Sequence, residues 1–340
     1  MKSSRTLENL WKKGKEFLGT DYAIMGGAMT WVSNHQLVSA ISNAGGFGVL
    51  ACGSMPPNLL AQEIEKTFNS TNKPFGVNLI TMHPDLEELI HVCGKSGIKH
   101  VVLAGGLPTS ASITLLKSYN LKVLGFAPAY IIARKLIRMG VDALVIEGHE
   151  AGGHIGPVST SVLAQEILPL VTEVPVFVAG GIGRGEAIVS YLQMGASGCQ
   201  LGTRFVCANE SPVHPKFKEA FIHAQARDAV PSVQFDSRLP VIPVRAITNK
   251  ASERFMDFQR EMVNKVEAGE IEIKEAQLQV EHFWAGALRR AAVEGDIENG
   301  SLMAGQSVGM VTKQESLQEI MDDLVGQAIA FLERSAPHAA

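Results

Sequence analysis

Eight short apolar runs, about 20–30 residues apart and each followed by a helix-compatible stretch, constrain this chain more than any other feature. They are Tyr22–Gly27, Gly46–Ala51, Phe75–Ile80, His100–Ala104, Lys122–Ala127, Asp142–Glu147, Val174–Ala179 and Gly198–Gly202. Runs this short and this uniformly apolar suit strands buried on both faces, the condition of a parallel sheet covered by helices. Repeated βα units either close on themselves or form an open doubly wound sheet. Glycine or a small polar residue ends nearly every run, as a ring of loops around a mouth requires. The expected fold is therefore α/β, a TIM (β/α)8 barrel. Ser33 and Asn34 are the N-cap candidates of its first helix, and another helix runs from Pro57 to about Thr67.

The pattern changes after Arg204. Ser211 to Pro215 breaks it, and Pro231 to Pro243 is an irregular stretch with three prolines. Lys250 to about Glu294 is rich in Glu, Lys, Gln and Ala, so it favours helix. This divides the chain into a barrel, residues 1–210 and 301–340, and an inserted, mainly helical subdomain, 211–300, over the C-terminal mouth. Gly300–Gln306 returns the chain to the barrel, and Glu315–Arg334 is a closing amphipathic helix. Ser335–Ala340 is expected to fray.

Composition excludes several classes. Of 340 residues 46% are hydrophobic and 19% charged, enough to build a core. A net charge of −4 offers no electrostatic footprint for nucleic acid or an anionic membrane. The N-terminal eighteen residues carry Lys and Arg but lack a signal core, and Leu10, Trp11 and Phe17 fall on one face of a short helix. No apolar run is long enough to span a bilayer. Cys52, Cys93, Cys199 and Cys207 show no metal-binding spacing and read as reduced, buried thiols of a cytoplasmic protein, so no metal site is expected.

Chemistry concentrates in Glu147-Gly-His-Glu-Ala-Gly-Gly-His-Ile-Gly-Pro157. This loop leaves the sixth run at the end where such barrels act, and it carries His154 as an acid–base candidate. His149 falls on the opposite side of an extended loop and reads as structural; Glu150 either orients the loop or pairs with a cation. Ala179-Gly-Gly-Ile182 follows the seventh run and Leu201-Gly-Thr-Arg-Phe205 the eighth, the usual phosphate loops of a barrel. Backbone N–H groups of Gly180, Gly181, Gly202 and Thr203 are the phosphate candidates, with the Thr203 hydroxyl adding one bond. Gly27, Ala28 and Met29 end the first run with small residues and a soft thioether, suited to a flat ring. Asn78 ends the third with a donor and an acceptor. A plain tight turn accounts for any one of these loops taken alone. His214, ahead of Pro215, reads as a helix cap.

Taken in order, Gly26-Gly-Ala-Met29, Asn43-Ala-Gly-Gly-Phe-Gly48, Phe75-Gly-Val-Asn78, Glu150-Ala-Gly-Gly-His-Ile-Gly156, Ala179-Gly-Gly-Ile182 and Gly202-Thr-Arg-Phe205 resemble the FMN-dependent nitronate monooxygenases. These were formerly called 2-nitropropane dioxygenases, and FMN-type enoyl-ACP reductases belong to the same superfamily. Pro243-Val-Arg-Ala246 and Glu294–Gln306 look closer to the reductase branch. The first run departs from the commoner Gln-Ala-Pro-Met or Gln-Gly-Gly-Met ending, which touches the contact to the flavin edge and not the fold. The resemblance implies FMN, its phosphate around Gly180, Gly181, Gly202 and Thr203, Asn78 at the isoalloxazine, and His154 as the acid–base group. It extends the cofactor set to Glu147, Gly153, Ala179 and Gln306.

Three readings follow. The first is oxidation of nitronates or nitroalkanes with O2. The second is an NAD(P)H-dependent enoyl-thioester reductase, with acyl carrier protein as a partner. The third is a flavin-free barrel that moves a proton on a sugar phosphate. A small-molecule substrate is common to all three, and a homodimer is compatible with each.

Overall fold

In the computed structural model the described residues are 2–53, 55–234, 236 and 243–335. Eight parallel strands form one sheet: β1 (Ile24–Gly26), β2 (Gly48–Ala51), β3 (Phe75–Ile80), β4 (His100–Ala104), β5 (Lys122–Phe126), β6 (Ala143–Glu147), β7 (Val176–Ala179) and β8 (Gly198–Leu201). From β2 to β8 each strand pairs with the next in sequence, and β8 pairs with β1. A parallel bridge between Met25 and Phe47, beside β2, completes the ring. The barrel is thus closed, as the eight runs require, although β1, β2 and β7 are shorter than their apolar runs by two or more residues.

Alternation along the strands separates two cores. Met25, Val49, Val102, Leu124, Ala143, Val145, Phe177 and Ala179 pack together inside the barrel. Ile24, Leu50, Val77, Leu79, Val101, Leu103, Leu144, Ile146, Val178, Cys199 and Leu201 pack outward against the helices. Successive strand residues face opposite sides, so this partition assigns a direction to every other strand residue.

The base of the barrel is plugged by the N-terminal helix Lys12–Leu18, whose Leu18 is buried in the inner core with Phe17 against it. The Phe17 carbonyl accepts from His100 Nε2 at 2.9 Å and from Lys122 Nζ at 2.7 Å. On the outside, Asn34 caps helix His35–Asn43 by accepting from the N–H groups of Gln36 and Leu37. The closing helix, Leu317–Ser335, packs on helix Gly185–Gln193 and on the N-terminal helix Lys2–Leu10. Residues 336–340, expected to fray, lie outside the described residues.

Within residues 211–300 the described segments include the helices Pro215–His223, Lys250–Glu267 and Ile273–Ala292. Gly269, at φ +72°, separates the last two, so the long helical stretch folds back on itself. His214 accepts from the Lys216 N–H and caps its helix. The segment also supplies strands that composition did not show: Ala229–Pro231 and Val244–Ile247 join Leu302–Met303 and Gly153–His154 in a small antiparallel sheet. Residues 237–242, within the proline-rich stretch, lie outside the described residues. All four cysteines are free and buried. Among the described residues, no helix is long and apolar enough to cross a membrane.

Candidate active site

The floor of the mouth follows from the alternation. On β6, Ala143 and Val145 face inward, and so does Glu147 at the strand's end. On β8, Cys199 and Leu201 face outward, which turns Gln200 and Gly202 inward; on β3, the same reasoning turns Asn78 inward. Asn78 is buried and donates from Nδ2 to the Val102 carbonyl at 3.0 Å, leaving its Oδ1 available. Gly27, just past the end of β1, donates its N–H to the Leu201 carbonyl, and a Cβ there would stand 3.5 Å from Gly202 Cα. The floor is therefore polar and backbone-rich, and close approach between β1 and β8 keeps it flat.

The loops after β7 and β8 form a cradle. Gly180 and Gly181 take φ of +98° and +71°, a left-handed pair that only glycine adopts freely. A Cβ on Gly180 would lie 2.8 Å from Thr160 Oγ1, and one on Gly181 would lie 2.9 Å from Glu150 Cβ. Thr203 begins a short helix after Gly202, and its hydroxyl oxygen accepts from the Gly305 N–H at 2.9 Å. That bond leaves the Thr203 O–H free to donate to an anion. Met29 turns its sulfur toward Gly202, closing the side next to β1.

The catalytic-loop candidate is braced at three points. Glu150 Oε2 accepts from the N–H of Thr160 at 2.8 Å and its hydroxyl at 3.0 Å, while that hydroxyl also reaches the Gly180 carbonyl. Glu150 thus ties the loop to Thr160 beside the turn after β7, and its charge also acts on Arg245, so both roles that the sequence allowed have a counterpart here. The Gln306 N–H donates to the Glu150 carbonyl, so residues 305–306 hold both the cradle and the loop. His154 is exposed at the mouth and lies on the strand Gly153–His154, paired with Val244 and Arg245. His149 donates from Nδ1–H to the Gly156 carbonyl within the loop, consistent with a structural part.

Two residues that the sequence reading did not single out belong here. Gln200 is one, and the alternation with Cys199 and Leu201 could have revealed it. Arg245 is the other: it is 2% exposed and gives Nε and Nη2 to the His149 carbonyl and Nη1 to the Ala229 carbonyl. Burial pulls its pKa down and the Glu150 charge opposes that shift. A charged residue inside the run Val244-Arg-Ala-Ile247 was the available signal. The structure gathers Gly27, Met29, Gly202 and Thr203 on one side, and Glu147, Gly153, His154, Ala179, Gly180, Gly181 and Gln306 on the other. Asn78 lies across the floor, and Ala28 packs on the inner core beside Gly27.

The nitronate monooxygenase family model matches residues 12–327. The chain belongs to the nitronate monooxygenase family. Members of this family are flavin-dependent oxidoreductases, and the chain is an oxidoreductase of that kind. FabK from Thermotoga maritima superimposes with a TM-score of 0.84 and is 34% identical, covering 94% of this chain and 96% of that one. A relative from Mycobacterium tuberculosis (strain ATCC 25618 / H37Rv), (3aS,4S,5R,7aS)-5-hydroxy-7a-methyl-1-oxo-octahydro-1H-indene-4-carboxyl-CoA dehydrogenase, is 30% identical over 94% of this chain and 97% of its own. A probable nitronate monooxygenase of Staphylococcus aureus (strain JH9) is 26% identical over 94% of this chain and 98% of its own.

Proposed function

We propose that the chain is an FMN-dependent oxidoreductase that works on the α,β-carbon pair of an acyl thioester, with NAD(P)H as the reductant. The placement of residues 300–306 carries the reading. This stretch resembles the enoyl reductase branch, and its amides hold Thr203 and the loop of His154. The relatives at 30% identity or more include a dehydrogenase named for a coenzyme A thioester.

FMN fits the residues: the left-handed glycine pair and the Thr203 O–H suit one phosphate, and the flat floor of Gly27, Asn78 and Gln200 suits a ring system. When bound, FMN supplies hydride chemistry. His154 holds the proton that reaches or leaves the substrate α-carbon, a task worth roughly 10²–10⁴-fold. Glu150 and Arg245 fix the backbone of the loop that carries that imidazole, and the small sheet sets its position at the mouth. The thioester carrier is coenzyme A or an acyl carrier protein. A cytoplasmic location, a homodimer, and the division into a barrel (1–210, 301–340) and a lid (211–300) complete the proposal.

Oxidation of nitronates with O2 is the second reading, favoured by the family match and by the Staphylococcus relative. Anaerobic mixing of the purified protein with NAD(P)H, followed by an enoyl thioester, separates the two. Rapid flavin bleaching by NAD(P)H and re-oxidation by the thioester supports the first. Bleaching by a nitronate alone selects the second.

A further inference from the structure

Glu147 stands apart from the other floor residues. It faces into the barrel beyond Val145, paired in register with Ala179, and it keeps partial access to water through the concave mouth. Its carboxyl makes no hydrogen bond or ion pair to any described residue. By register its neighbour on β7 is Ala179, which pairs in turn with the neutral amide Gln200 on β8; one layer below, Val145 pairs with Phe126 on β5, and Asn78, another neutral amide, faces inward from β3. On its own loop, His149 is tied to Gly156 and Glu150 to Thr160. Helix Thr160–Ile167 carries Glu166, whose carboxylate accepts from the Tyr130 N–H on the outer side of the barrel. His154 and Arg245 belong to the lid sheet. Among the described residues no charged group compensates the carboxyl, so its ionised form depends on solvation through the mouth alone.

We propose that Glu147 is a proton-linked ligand of the flavin, neutral whenever the cofactor fills the mouth, so that binding takes up a proton wherever the free carboxyl is ionised. The inference rests on the flavin reading above. A ring system entering the mouth removes the water that solvates the carboxylate and puts a low-dielectric surface in its place, which disfavours the charge. The neutral carboxyl also gains an O–H donor, which the floor otherwise lacks on that side, for a cofactor oxygen or nitrogen. Without the cofactor the group already titrates high: burial alone raises it to about 7, with no opposing charge.

Linkage sets the sign. The protonated form binds, so affinity is level at acid pH and weakens about tenfold per pH unit once the free carboxyl ionises, above about pH 7. FMN titrated into flavin-depleted full-length protein from about pH 6 to about pH 9, read by quenching of flavin fluorescence, measures this slope. Glu147→Gln keeps the size and a hydrogen-bond donor and should bind FMN with no such slope. The cofactor phosphate, whose second ionisation lies at about 6, affects both proteins alike and cancels. Calorimetry of the wild-type protein in buffers of different ionisation heat counts the proton directly and does not depend on the variant. Tight binding without slope or proton uptake overturns this inference alone, as does a Gln variant that keeps the slope. Failure of both proteins to bind FMN overturns the flavin reading and the inference with it.

Discussion

His100 makes the stability of the barrel base depend on pH. It is the first residue of β4, 3% exposed, with the rings of Phe17 and Phe47 edge-on at 5.3 and 5.0 Å. Its Nε2–H donates to the Phe17 carbonyl, while Nδ1 is buried without a partner. Burial first, then the Lys122 charge, lowers its pKa from 6.5 to about 4, against the opposing pull of the Phe17 bond and Asp142. Between those two values the unfolded chain binds a proton that the folded chain does not, so stability rises with pH across the interval. The contribution is complete above about 6.5, is lost as pH falls, and has no further slope below about 4. A shift of that size corresponds to about 3 kcal/mol in total, of which about 2 kcal/mol is lost by pH 5. His100→Phe removes the titrating group and the orphan nitrogen. The Phe17 carbonyl keeps its bond from Lys122 Nζ, so the substitution costs only about 1 kcal/mol at neutral pH. Urea unfolding of both proteins at matched flavin loading, in steps from about pH 8 to about pH 4.5, gives the difference in slope. Parallel pH profiles would refute the reasoning and show that His100 is solvated or paired in a way these contacts do not contain.

His154→Ala should leave the flavin in place and slow the proton-transfer half-reaction by roughly 10²–10⁴-fold, while flavin reduction by NAD(P)H survives; His149→Ala should do little in either assay. Gly181→Asp sets a carboxylate in the cradle and forces a Cβ against Glu150, so flavin content measured at about 450 nm should collapse while the circular dichroism of the barrel is kept. Arg245→Met loosens the His149 carbonyl and should lower kcat, with flavin content retained and partial rescue by Arg245→Lys. Glu315→Leu strands the buried Arg204 guanidinium, leaving it Asp323 at 3.4 Å as its carboxylate among the described residues, and should destabilise the protein by about 3–5 kcal/mol in urea unfolding.

Local pattern and tertiary placement contributed differently. The barrel was legible because each strand is a contiguous apolar run and each phosphate loop a contiguous glycine cluster, so the information sits within a few neighbouring residues. Gly180, Gly181, Gly202 and Thr203 could be placed at adjacent strand ends by counting alone. The small sheet at the mouth was not legible. It joins segments near residues 153, 230, 245 and 302, and two of its strands are two residues long, too short to show a period. Such strands form only because the barrel and the two long helices bring them within hydrogen-bonding distance. That sheet then decides what composition could not: where His154 stands, and which carbonyls the buried Arg245 serves. The state of Glu147 has the same origin. Its sequence neighbours mark it as the polar end of a buried strand, but its ionisation depends on the absence of a partner among the described residues across the barrel. A group's electrostatic surroundings are a sum over everything near it in space, and only the closed barrel determines what is near.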